Sequence, residues 1–171
     1  MEAPGSLDLA AAARVAKRVE LREIRLSEIS ASNLAAHHGP LHPEVQHVCS
    51  PIVHESHLIE VLCSYDFLVK SEGDEIAKAQ FKYLISYDVI GEAPVDEADL
   101  QHFAFANGTY HSWPFVRQLV FDLTSRMGYP PYTLPVFQFN PKPKQQPEET
   151  AEDEPSGDAT VEETESTSSE A

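Results

Sequence analysis

Cationic side chains are in short supply. Twelve Lys and Arg stand against twenty-eight Asp and Glu, a formal net charge of −16 at pH 7. A field of that sign repels phosphate, so nucleic acid is not an expected partner. A basic protein surface is a suitable one. Long apolar runs are also missing. No stretch of 18 apolar residues occurs, so no membrane insertion is expected. The opening residues carry acids early and no basic region ahead of an apolar one. A secretory signal is therefore not expected, and the expected compartment is the cytoplasm. Cysteine is scarce. Cys49 and Cys63 are the only two in 171 residues, too few for a disulfide framework. Cys63 falls in a strand pattern, where a thiol behaves as a small hydrophobe.

Catalytic signatures are absent as well. No GxSxG, Walker loop or GxGxxG occurs. Residues 37–57 hold six of the eight histidines together with Cys49. His47, Cys49, His54 and His57 could be drawn as a zinc site, but neither a CxxC pair nor an HExxH accompanies them. His54 and His57 would point to opposite faces of a strand. His111 and Asp122 would share a helix face about three turns apart, beyond contact. No metal, no cofactor and no enzyme activity is expected.

What is present divides the chain into three parts. Residues 1–16 form an N-terminal segment, with a short helix expected over the alanine-rich "LDLAAAARVAKR". Residues 17–140 hold the folded domain. Residues 141–171 carry half of the net charge, one branched aliphatic (Val161) and no aromatic. That tail is expected to be disordered, serving as a solubilising tail or as an acidic arm for a basic partner.

Within the domain, "RVELREIRLSEIS" alternates Val19 and Leu21, then Ile24 and Leu26 in the opposite phase. A strand interrupted by a bulge has that pattern. Residues 31–51 hold three prolines and a glycine, and read as a long connection of the kind that is often functional. Two strands follow. Ile59, Val61, Cys63, Tyr65, Phe67 and Val69 share one face, and Phe81, Tyr83, Ile85, Tyr87 and Val89 share another. The turn "SEGDE" makes them an antiparallel hairpin with a buried aromatic face. "PVDEADLQHFAFANG" then reads as a short helix capped at Asp96 or a neighbour and stopping at Asn107-Gly108, or as a helix running into an irregular strand.

A second helix, "SWPFVRQLVFDLTSRMG", carries Trp113, Val116, Val120, Leu123 and Met127 on one face. Phe115, Leu119 and Phe121 make that face wider than one sheet contact needs, which suggests a subunit interface. "GYPPYTLPVFQF" follows, with Tyr129, Tyr132, Leu134, Val136, Phe137 and Phe139 threaded between prolines. Such a segment either packs back across its own sheet or forms the aromatic wall of a groove for extended peptides.

From Trp113-Pro114-Phe115 through Arg117, Ser125-Arg126 and Gly128 to the run Pro131–Phe139, the chain resembles the SecB family of export chaperones and their SecB-like relatives. The order of elements upstream and the "FANGTY" before the helix fit as well. The resemblance covers residues 17–140. It implies an α+β fold, a four-stranded antiparallel sheet with a long helix on one face. It implies subunits that pair and then stack through the long helices as a dimer of dimers, with Trp113, Val116, Leu119, Val120, Leu123 and Met127 at the interface. It implies binding of unfolded or precursor polypeptides without ATP, to keep them export-competent. The client groove would be lined by residues 31–51 and 129–139, with Leu41, Val45, Val48, Tyr129, Tyr132, Leu134, Val136, Phe137 and Phe139 as contacts. The translocation motor SecA would dock on the acidic outer face of the sheet, where Glu23 is the candidate. Some SecB-like members instead serve one dedicated partner, the antitoxin of a toxin–antitoxin system. The family carries a second helix after the "PVF" run. Here "NPKPKQQPEE" follows, and no helix is expected there.

Overall fold

The computed structural model describes residues 7–35, 39–91 and 95–139. Met1–Gln138 is one compact unit, and Phe139–Ala171 is a second, of which only Phe139 is among the described residues. The expectations of a disordered tail and of no helix after the "PVF" run lie outside the described residues. The elements run α1 (Leu9–Ala16), β1 (Val19–Asn33), β2 (Leu41–His54), β3 (Leu58–Ser71), β4 (Asp74–Val89) and α2 (Glu97–Arg126). The sheet is antiparallel, in the order β1-β4-β3-β2, so β1 and β2 are its two edges.

The hairpin β3–β4 is the centre of the sheet. Its turn places Glu72 at φ 53 and Gly73 at φ 95, the left-handed pair that a two-residue hairpin needs to match strand twist. All six expected residues of the β3 face are buried, as are Phe81, Tyr83, Ile85 and Tyr87 on β4. Tyr65 stacks on Phe81 at 5.4 Å between ring centroids, and Tyr87 meets Phe103 of α2 edge-on at 5.0 Å. Burying each of these large side chains is worth about 1.5–3 kcal/mol.

β1 shifts register between Leu21 and Glu23, where the phase change predicts it, and again between Leu26 and Glu28. The two shifts keep Leu21, Ile24, Leu26 and Ile29 paired with Tyr87, Ile85, Tyr83 and Phe81, all on the helix side.

Two expectations are corrected. Residues 31–51 are not a long loop: residues 34–40 connect, and the rest belongs to β1 and β2. Pro43 and Pro51 disguise the second strand. Both sit on an edge, where a missing N–H costs no ladder bond. The second correction is that Asn107-Gly108 does not stop a helix. α2 runs 30 residues through that pair and through Pro114. A Cβ on Gly108 would lie 2.8 Å from Cys63 Sγ, 3.0 Å from Val61 Cγ1 and 3.1 Å from Cys49 Cβ. At this glycine the helix backbone lies close against side chains of β2 and β3.

α2 starts at Asp96, whose carboxylate accepts from the N–H groups of Ala98 and Asp99. It ends in a Schellman turn. Gly128, at φ 85, donates to Ser125 O at 3.2 Å, and the N–H of Tyr129 donates to Thr124 O at 2.9 Å. α1 lies beside the first half of α2, burying Ala11, Ala12 and Val15. Arg14 grips Asp99 with Nε–Oδ2 at 2.7 Å.

Candidate functional site: a groove beside the second edge strand

α2 crosses the sheet mainly over β2 and β3. The chain then turns at Gly128 and runs back along the helix on the β2 side. Three hydrogen bonds fix that return. The N–H of Tyr132 donates to Thr124 Oγ1 at 3.0 Å, Arg117 Nε donates to Leu134 O at 2.8 Å, and Trp113 Nε1 donates to Pro135 O at 2.9 Å. Tyr129 OH donates to Ile76 O at 3.2 Å and seats the start of the segment. The prolines at 130, 131 and 135 lack N–H groups and cannot form a ladder. An apolar segment thus lies against helix and sheet without becoming a strand.

The segment has two sides. Tyr129 and Leu134 are buried, Tyr132 and Phe137 are half-buried, and Val136 is 66% exposed. Phe137 packs against Trp113 at 5.2 Å and edge-on to His47 at 5.6 Å. His47 also stacks on Tyr65 at 5.3 Å and on Phe105 at 5.4 Å. Its Nε2 shares a hydrogen bond of 3.0 Å with Thr109 Oγ1. Burial among these rings holds the imidazole pKa below its usual value, favouring the neutral form. Below His47, burial and then the neighbouring Cys49 push the Cys63 thiol far up, so it stays protonated. Near the start of β2 a cleft of about 390 Å³ opens between Leu41, Pro43, Val69, Tyr129, Pro131 and Tyr132.

The expected groove residues are therefore largely brought together. Leu41, Val45, Tyr129, Tyr132, Leu134 and Phe137 are on the helix side, with Val136 at the rim. Val48 is not with them. It pairs with Ser64, on the opposite face of the sheet. Phe139 belongs to the second unit and is not placed relative to this groove. Reading the sequence missed Phe105 and Thr109, and considered His47 only as a zinc ligand. Period-2 counting from Cys49 finds His47 once β2 is recognised as a strand.

Of the expected interface residues, Trp113, Val116 and Val120 are buried by the chain's own sheet, and Leu119, Leu123 and Met127 are half-buried. One patch of bare apolar surface lies to the side of these residues. Leu21, Leu26 and Ile29 of β1 are 47%, 40% and 46% exposed, and Phe115 of α2 stands beside them over Tyr83 at 6.2 Å. Glu23 is exposed and pairs with Ser86 on the outer face. Among the described residues no three His, Cys, Asp or Glu are grouped to hold a metal ion, and no helix is long and apolar enough to cross a membrane.

A four-stranded antiparallel sheet crossed by one long helix is the SecB-like architecture. No protein-family model matches the sequence. The chain is 27% identical over 150 residues to the SecB-like chaperone Rv1957 of Mycobacterium tuberculosis strain ATCC 25618 / H37Rv, covering 72% of this chain and 80% of that protein. It is similar to the same degree and extent to the SecB-like chaperone MT2006 of strain CDC 1551 / Oshkosh. The solved structure of Rv1957 in complex with a ChAD peptide from the Rv1956 HigA1 antitoxin shares the fold. Its TM-score is 0.72 at 24% identity, over 77% of this chain and 99% of that one. The chain is a homologue of these SecB-like chaperones in sequence and has their fold.

Proposed function

We propose that this protein is an ATP-independent chaperone of the SecB-like type, a holdase rather than an enzyme, working in the cytoplasm. It binds unfolded or precursor polypeptides and keeps them export-competent. The observation that carries this reading is the groove between β2, α2 and residues 129–137. Its wall is apolar and held in shape by hydrogen bonds to its own backbone, leaving Tyr132, Val136 and Phe137 to contact a client. Burial of apolar surface at about 25 cal/mol per Å² makes few demands on client sequence. The net charge of −16 keeps loaded complexes soluble and favours basic clients.

The proposed assembly is a homo-oligomer of paired subunits. The uncovered patch of Leu21, Leu26, Ile29 and Phe115 supports pairing there, and several sites per assembly would add avidity. Docking of the SecA ATPase on the outer face, near Glu23, is part of the same reading. Substitution of Glu23 by Lys should weaken that docking alone. The proposed organisation keeps residues 17–140 as the working domain and 141–171 as an acidic tail.

A second reading is favoured by one observation: the relative Rv1957 was solved with a peptide from an antitoxin. On that reading the groove serves one dedicated partner. Light scattering separates the two. Several unrelated, chemically unfolded proteins are diluted into buffer with this protein and no nucleotide. Suppressed aggregation of most of them is expected for the general chaperone. Failure with all of them, by a protein shown to be folded, favours a dedicated partner.

A further inference from the structure

β2 is an edge strand with a selective pattern of free backbone groups. Pro43 pairs with Val69 and Pro51 with Val61. Proline has no N–H, so neither pair is doubly hydrogen-bonded, and both residues face their backbone away from β3. Alternation by two places Val45, His47 and Cys49 in the same class, with N–H and C=O groups directed outward. Among the described residues, none of the three has a backbone hydrogen bond outside its own sheet. Cys49 is only 4% exposed, whereas Val45 and His47 are half-buried. The usable window therefore runs from the carbonyl of Pro43 through both groups of Val45 and His47.

Residues 129–137 pass beside this edge, yet the prolines at 130, 131 and 135 keep them from pairing with it. They stand as a wall above a floor of backbone groups that have no partner among the described residues.

We propose that an extended segment of the client adds to the sheet as a short fifth strand on β2, pairing with Val45 and His47. This rests on the polypeptide-binding reading above and specifies how the client is held. Pairing cannot extend through Pro43 or past the buried Cys49, so about five client residues are engaged, too few to seed a growing sheet. Alternate client side chains face Tyr132 and Phe137, and the cleft of about 390 Å³ beyond Pro43 receives one bulky apolar side chain. The net charge of −16 selects a neutral or basic segment. The occupant is thus an extended, neutral-to-basic stretch with large apolar residues at every second position. Backbone pairing explains how such a site holds many sequences.

The test uses the full chain and a fluorescent seven-residue peptide of alternating leucine or tyrosine and serine, flanked by lysine. Two variants carry backbone N-methyl groups on one alternate set of residues or on the other. Only the set facing β2 needs its N–H groups. One variant should bind at least about tenfold more weakly and the other within about twofold of the parent. Equal affinity of both variants overturns strand addition while leaving the chaperone reading intact. No binding by any peptide, with no suppression of aggregation, overturns both. Val45→Pro removes one outward donor at a position equivalent to Pro43 and Pro51, so the sheet should persist. It should weaken the parent peptide about tenfold. If it lowers self-association instead, the edge belongs to a second copy and the proposal fails. In the free protein the Val45 and His47 amides should exchange with solvent readily, and slow when peptide is added. Protection already present without peptide would assign the edge to the chain's own residues and overturn the proposal.

Discussion

β1 and β2 are both edge strands, 15 and 14 residues long, and they handle their free edges differently. β1 has no proline. It twists at two register shifts and puts Glu20, Glu23, Arg25 and Glu28 on its outer face, while Leu21, Leu26 and Ile29 stay bare on the helix side. β2 carries two prolines, and α2 and residues 129–137 cover most of its apolar face. An edge that leaves a long apolar face open is a hazard unless a permanent partner covers it. An edge whose pairing is limited by proline can take a partner briefly without templating aggregation. On the proposed function, β1 serves self-association and β2 serves clients.

Four predictions test that contrast, from the largest effect to the smallest. Replacing Leu26 and Ile29 together with Glu places charge on the bare face of β1. Self-association should weaken by about 100-fold or more, measured by light scattering on eluted protein, with secondary structure kept. Survival of the oligomer would move the interface elsewhere.

Gly108→Ala pushes α2 off the β2–β3 side of the sheet, because its Cβ would meet Cys63 Sγ, Val61 and Cys49. A loss of about 1–3 kcal/mol is expected in denaturant unfolding, and Gly108→Val should cost more. Equal stability of Gly108→Ala would mean that the helix is not in tight contact there.

Changing Tyr132 and Phe137 to Ser should weaken client binding about tenfold without changing the oligomer or unfolding the sheet. An unchanged client affinity in a folded protein would remove the groove assignment.

The smallest effect concerns pH. Burial lowers the pKa of His47 and of His111. Below about pH 6.5 the unfolded chain takes up protons that the folded chain resists, so stability is full above that pH and falls as pH drops through it. His47→Gln should flatten that slope. No histidine lies on β1, so self-association through Leu26 and Ile29 should respond less than client binding. An unchanged slope in His47→Gln would contradict the burial of that ring.

Much of this fold was legible in the sequence. Strict alternation over β3 and β4 identifies the buried aromatic face, and the phase slip after Leu21 marks the first register shift. The irregular course of residues 129–137 was legible too, because Pro130, Pro131 and Pro135 fall so close together that few N–H groups remain for a ladder. The rest was hidden for physical reasons. Pro43 and Pro51 read as loop markers, since their tolerance depends on being at an edge, which is a tertiary fact. Without that strand, Val48 could not be assigned to the face away from the groove. Asn107-Gly108 has the chemistry of a helix stop, yet Gly108 is there because three groups of the sheet leave no room for a Cβ. Trp113, Val116 and Val120 carried the right periodicity for an interface, but the nearest sheet to bury them was their own.

On the proposed function, an unfolded polypeptide lies beside residues 129–137. Trp113, the single tryptophan, bonds that segment through Pro135 and packs on Phe137. The most direct measurement is Trp113 emission during titration with an unfolded polypeptide lacking tryptophan, with binding followed in parallel by light scattering. A saturable change in emission is expected that tracks binding and is lost in the Tyr132, Phe137 double Ser variant. Full binding with no change at Trp113 would contradict it and place the client elsewhere on the protein.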